Sequence, residues 1–166
     1  MTQIKAPERV TLAQNDFLVF LAGSIEMGRA EPWQDEVASR LLAANPSIKV
    51  ANPRRLDWNK DAVQSIDDPY FNEQVNWELD HLDRANLVLF YFQPSTMSPI
   101  TLLELGRHLS TSRRPDDTIV CCPQGFWRRG NVEVVMQRAG LGRPLETLDS
   151  MIEAAILKVR GIHDVV

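Results

Sequence analysis

The sequence predicts an α/β fold: one domain built on a doubly wound parallel sheet, with helices on both faces in a flavodoxin-like three-layer sandwich. Three observations predict it. Short apolar runs recur along the chain and end in turn signals, as strands buried on both faces do. Segments with apolar residues at helical spacing lie between them. Strand and helix alternate, and that order gives parallel strands joined by crossover helices.

Residues 1–15 are polar and mixed, with Pro7, and read as a flexible N-terminal arm ahead of a domain spanning 16–166. Phe17 to Ala22 is a continuous apolar run closed by Gly23-Ser24, the first strand. Pro32 suits the first turn of a helix. Trp33, Val37, Leu41 and Leu42 then follow at helical spacing until Asn45-Pro46 stops them. Ile48 to Ala51 is a second strand. Residues 56 to 69 are polar, contain Trp58 and end in Asp67-Asp68-Pro69, a long loop of the kind that carries function. A helix over about 70–84 puts Val75, Leu79 and Leu82 on one stripe. Leu87 to Phe92 is the clearest strand. Ser98-Pro99 places a capping residue before a first-turn proline, so a helix starts there and runs to about Leu109. Thr118 to Cys122 is another strand. Helices follow at 131–138 and about 147–159, separated by Gly140-Leu141-Gly142. In such sheets ligands bind at the carboxyl ends of the strands, where the loops 23–31, 52–68, 93–98 and 123–130 should meet.

With 166 residues, the chain is long enough for one domain to bury about 70% of its unfolded surface. A net charge of −4 argues against polymeric nucleic acid or an anionic membrane as the main partner, because both reward basic surfaces. Cys121 and Cys122 are adjacent and would point to opposite faces of a strand, so a disulfide between them would be strained. A reducing compartment fits. There is no secretory leader pattern and no long apolar run, and the expectation is a cytoplasmic protein. His81, His108 and His163 are dispersed, with no metal-ligand spacing and no cofactor motif, so neither is expected.

Glu104 stands out among Ile100, Leu102, Leu103 and Leu105 in a helix that reads as mostly buried. A lone carboxylate there is costly unless it is paired or used. Thr101, Glu104 and His108 share its face. Glu78, Asp80 and Asp83 lie on the preceding helix, where a solvated acidic face is the ordinary outcome. The functional alternative is a second carboxylate facing Glu104, since a retaining glycosidase needs a nucleophile and an acid/base group about 5 Å apart. Gly23-Ser24 after the first strand suits close approach of backbone to a ligand. Arg54-Arg55 after the second strand and Arg128-Arg129 present guanidinium forks of the kind that hold phosphate. Trp58, Phe126 and Trp127 are candidates for stacking on a base.

Several segments together resemble the nucleoside 2-deoxyribosyltransferase-like family. They are Phe20 to Glu26, Asn52 to Arg55, Phe71 to Glu78, Ser98 to Gly106 and Arg129 to Val132, in order over roughly residues 17 to 140. The Glu-Leu-Gly at Glu104 is the most specific. The resemblance implies that Glu104 attacks the anomeric carbon, that Glu78 (with Asp80 as the alternative) assists departure of the base, and that Asn131 reaches the sugar from a neighbouring subunit. That last role implies a homodimer or larger homo-oligomer with shared sites. Phe20 stands where the well-studied transferases carry Tyr, and Ser98 where they carry Asp. With Arg54, Ser98 shifts the expected substrate toward a nucleotide. A second base as acceptor makes such an enzyme a transferase and water makes it a hydrolase. An NAD glycohydrolase and a non-catalytic nucleotide-binding sensor are the other readings of the same residues.

Overall fold

The structure, a computed structural model, describes residues 2–26, 29–57, 59, 61–111 and 115–162. Five strands form one parallel sheet: β1 (Thr2–Lys5), β2 (Leu18–Gly23), β3 (Lys49–Asn52), β4 (Leu87–Tyr91) and β5 (Thr118–Cys121). Their order is β1-β3-β2-β4-β5. The helices are α1 (Trp33–Ala44), α2 (Pro69–Arg84), α3 (Pro99–Thr111), α4 (Arg129–Arg138) and α5 (Leu148–Arg160).

Alternation along the strands sorts the core into two layers. Leu18, Phe20, Ala22, Val88, Phe90 and Val120 pack with residues of α2, α3 and α4. Val19, Leu21, Leu87, Leu89 and Ile119 pack with α1 and α5. A period of two along each strand sends neighbours to opposite faces, and both faces are covered, so every residue of β2 is buried. Cys122 joins the first layer and Cys121 the second; both are free thiols. The predicted doubly wound sheet is therefore the observed one.

Thr2–Lys5, read from sequence as part of a flexible arm, forms β1 instead. It pairs in register with Lys49 to Asn52, and Ile4 is fully buried. The segment is too short and too polar to show strand periodicity, and its partner supplies the order. The arm's continuation is also tied down, as Trp77 Nε1 donates to the Glu8 carbonyl at 2.8 Å.

Helix ends are set locally. Asp68 caps α2 by accepting from Phe71 N–H at 2.9 Å. Thr147 and Ser150 form a capping box at α5. Ser98, expected to cap α3 with its hydroxyl, does not. Its backbone is left-handed at φ 45°, and the hydroxyl turns to Ser24 and Thr96 instead.

Candidate active site

The direction of winding reverses beside β2. The chain leaves β2 for β3 on one side, then crosses to β4 on the other, which makes the β2/β4 boundary the switch point of the sheet. Gly23 and Ser24 leave β2 there, and the 93–98 loop leaves β4. A Cβ on Gly23 would lie 2.6 Å from both Trp33 Cζ2 and the Tyr91 carbonyl oxygen, so packing against α1 and β4 accounts for the glycine. Trp33 closes this corner by donating from Nε1 to the Ser24 carbonyl at 3.1 Å.

Three buried hydroxyls tie the two loops together. Ser24 Oγ lies 2.6 Å from Ser98 Oγ and 2.9 Å from Thr96 Oγ1, and the latter two are 2.7 Å apart. Gln93 N–H donates to Ser24 Oγ, and Thr96 donates to the Gln93 carbonyl. Glu26 completes the lock from the β2 side. Its Oε1 accepts from the backbone N–H groups of Met97 and of Ser98, the latter at 2.7 Å. The free donors just before α3 are thus met by a carboxylate of the chain itself, in the position where a helix N-terminus holds an anion.

Glu104 and Glu78 come together on the layer that covers β2. Glu104 lies on the inward side of α3 with Thr101, Leu105 and Leu109 and is 8% exposed. Glu78 lies on α2, partly covered, one turn after the buried Gln74. Burial pushes both carboxyls above the usual carboxylate range. The negative charge of Glu78 raises Glu104 further, while Arg107 opposes this. Gln74 Nε2 donates to Glu78 Oε1 at 2.7 Å and favours its ionised form. Among the described residues, none hydrogen-bonds the Glu104 carboxyl. Both carboxyls are thus held above the usual range, and the charge of one acts on the other.

The other expected residues take varied places. Phe20 is 1% exposed and packs against Trp77, with ring centroids 6.4 Å apart. Asp80 is on the outer face of α2, 3.7 Å from Arg9, and Asp83 pairs with Arg107. Both aspartate side chains are at least half exposed, so Asp80, the alternative to Glu78 implied by the resemblance, lies on the solvated face of α2. Arg54 donates to the carbonyls of Ala30 and Glu31. Arg55, its side chain 4% exposed, meets Asp57 and Glu73 and lies 4.1 Å over the Tyr70 ring. Arg129 is buried and bonded to Glu133, Glu146 and the Cys122 carbonyl. The guanidinium forks read as phosphate ligands are in large part structural. Phe126 is core, 5.0 Å from Phe92; Trp127 is exposed beneath Arg128; Trp58 and His163 lie outside the described residues. Asn131 is exposed and lines a groove between α3 and α4.

Sequence reasoning assigned no role to Glu26, Thr96 or Gln74. The spacing of Gln74 to Glu78, one helical turn, was the available signal for that pair. Nothing local in sequence joins Glu26 to Ser98, 72 positions apart. Among the described residues no cluster of His, Cys, Asp and Glu forms a metal site, and no helix is long and apolar enough to cross a membrane.

Comparison with known proteins adds the lineage. No curated protein matches the sequence significantly. A crystal structure of a conserved protein from Enterococcus faecalis V583 superposes with a TM-score of 0.55 at 8% identity, covering 86% of this chain and 99% of that one. That similarity is one of fold. The sequence profile described as nucleoside 2-deoxyribosyltransferase like matches residues 16–126, two thirds of the chain, spanning β2 to β5 and both carboxyls of the pair. The chain therefore belongs to the nucleoside 2-deoxyribosyltransferase-like family.

Proposed function

We propose that the protein cleaves and transfers the N-glycosidic bond of (deoxy)nucleosides through a covalent glycosyl-Glu104 intermediate. The observation that carries this reading is the carboxyl pair, buried Glu104 on α3 and partly covered Glu78 on α2, each raised above its usual range. The Glu104 carboxyl has no hydrogen-bond partner among the described residues, and a nucleophile needs this freedom.

In the first step a Glu104 oxygen bonds to the anomeric carbon as the C–N bond breaks. The bonding pair leaves with the base nitrogen, and Glu78 supplies the proton that keeps it neutral. In the second, a nitrogen of an incoming base attacks the same carbon, the ester oxygen returns to Glu104, and the acceptor's proton returns to Glu78. Two inversions retain configuration. Water in place of the second base gives hydrolysis. Transfer is the family's named activity and the reading adopted.

A nucleoside suits the sheet edge better than a nucleotide. Ser98 has its hydroxyl in the buried triad and its N–H on Glu26, and a phosphate at the start of α3 would meet the Glu26 charge. The phosphate argument drawn from Arg54 and Ser98 in sequence loses its support here. Asn131 completes the sugar site of a second subunit in this proposal. The apolar residues Met97, Ile100 and Leu103, at and just before α3, are each at least half exposed and suit burial against that subunit.

The test is chromatography of deoxynucleosides, their 5′-monophosphates, ribonucleotides and NAD incubated with the protein, with and without a second free base. New nucleoside formed only with the acceptor is expected. Free base released without acceptor means a hydrolase, and productive monophosphates mean that Glu26 does not exclude phosphate. Binding without turnover of any donor would make the protein a sensor.

A further inference from the structure

Gln74 is 4% exposed and makes two contacts through one nitrogen. Its Nε2 lies 3.0 Å from the Pro53 carbonyl oxygen and 2.7 Å from Glu78 Oε1. Both partners are acceptors, so the orientation of the amide is fixed: its two N–H groups face them. The carbonyl end, Oε1, is left buried without a partner among the described residues. An unmet buried acceptor destabilises a fold, and an apolar side chain of the same shape would avoid the penalty. An apolar residue would remove that acceptor but leave the buried Pro53 carbonyl and Glu78 without their donor, so the link to both accounts for an amide here. Pro53 opens the loop after β3, at the carboxyl edge of the sheet, so Gln74 is a strut from that edge to the Glu78 carboxyl.

We infer that Gln74 is a positioning residue: it fixes the Glu78 carboxyl against the β3 edge and sets the pH range over which that group exchanges its proton. The inference rests on the proposed role of Glu78. Among the described residues, the carboxyl on which the charge of Glu78 acts is Glu104 on α3, and Arg107 acts on Glu104 from the same helix. Burial holds the Glu78 proton on, and the Gln74 N–H favours its release. Removing this donor leaves Glu78 protonated to higher pH. A reaction that needs the protonated acid then persists further into alkali, while a carboxyl no longer held in place delivers its proton less well.

The experiment uses Gln74→Leu and Gln74→Met, with Gln74→Asn as a shorter amide. Carbon-13 NMR of glutamate-labelled protein follows the Glu78 carboxyl through a pH titration, its signal assigned by its loss in Glu78→Gln. Thermal melting is read in parallel, and the pH–rate profile is taken on the productive donor. Expected are an upward move of the Glu78 midpoint in both apolar variants, a melting temperature changed little because the freed Pro53 carbonyl offsets the removed Oε1, and kcat at least about tenfold lower with KM within about threefold. The alkaline limb of the profile moves with the midpoint. An unmoved Glu78 midpoint in whichever apolar variant folds overturns the inference, and so does a moved midpoint with unchanged kcat. If the parent turns over no donor, the glycosyl-transfer reading fails by itself, and the titration alone decides whether Gln74 governs Glu78.

Discussion

Burial and the charge of Glu78 both disfavour the ionised form of Glu104, so the folded chain holds this proton more tightly than the unfolded chain does. The sign of the linkage follows. The group causes no penalty below the usual carboxylate range, and the penalty grows as pH rises through the raised folded-state value. Glu104→Gln keeps the shape and removes the titration. Urea unfolding should show the variant more stable than the parent by about 1–3 kcal/mol near pH 9, the gap closing toward about pH 4. Turnover should fall by roughly a thousandfold or more. Equal stability across that range would mean that Glu104 bears no raised pKa in the fold, and the carboxyl-pair argument would fall with it. Glu104 was legible in the sequence because a charge among Ile100, Leu102, Leu103 and Leu105 breaks a pattern. Glu26 and Gln74 break none. An acid in a loop and an amide in a helix are ordinary, and only the partners that folding brings to them, Ser98 and the Pro53 carbonyl, give them work.

Elements were legible where one face had to be apolar throughout. β2, β4 and β5 are covered on both sides by helices, so their sequences are apolar but for Thr118 at the start of β5. β1 was not legible: four residues with one buried apolar side chain carry no period, and its existence depends on the free edge of β3. The start of α4 shows the same limit. Arg128-Arg129 looks in sequence like one basic pair at the ligand edge. In the structure the two side chains part: Arg128 lies over the Trp127 ring, while Arg129 turns inward and joins α4 to the end of β5 and to Glu146 ahead of α5. Three layers meet at that guanidinium. Arg129→Met leaves the Cys122 carbonyl without its bond and both acids without a cation, and should lower unfolding free energy by about 2 kcal/mol. Arg128→Ala, at an exposed site, should change it by less than about 0.5 kcal/mol. Urea titrations of both variants check the contrast. Equal losses would return Arg129 to the surface role that the sequence suggested.

At the scale of the whole molecule, the layer that covers the carboxyl pair is also the one with an unfinished outer surface. The inner side of α3 holds Glu104 and Leu105, while Ile100 and Leu103 on its outer side are 59% and 69% exposed. Trp127 and Val135 are exposed as well, and they line the groove between α3 and α4 with Leu102 and Asn131. Isolated exposed apolar residues are normal, but several on one helix are the kind of surface that assembly buries. If the site is shared between copies, assembly and catalysis fail together. A lysine at Leu103 puts a charge in the centre of that surface without touching the core, so the monomer should fold with its melting temperature little changed. Sedimentation velocity should show the parent as a dimer or larger and Leu103→Lys as a monomer, with transfer activity reduced at least about tenfold. Activity should recover when the variant is mixed with a Glu104→Gln partner only if their assembly is restored, since each copy would then lend Asn131 to the other. A parent that sediments as a monomer and transfers bases at full rate would place the complete site within one chain, leaving Asn131 no partner to serve.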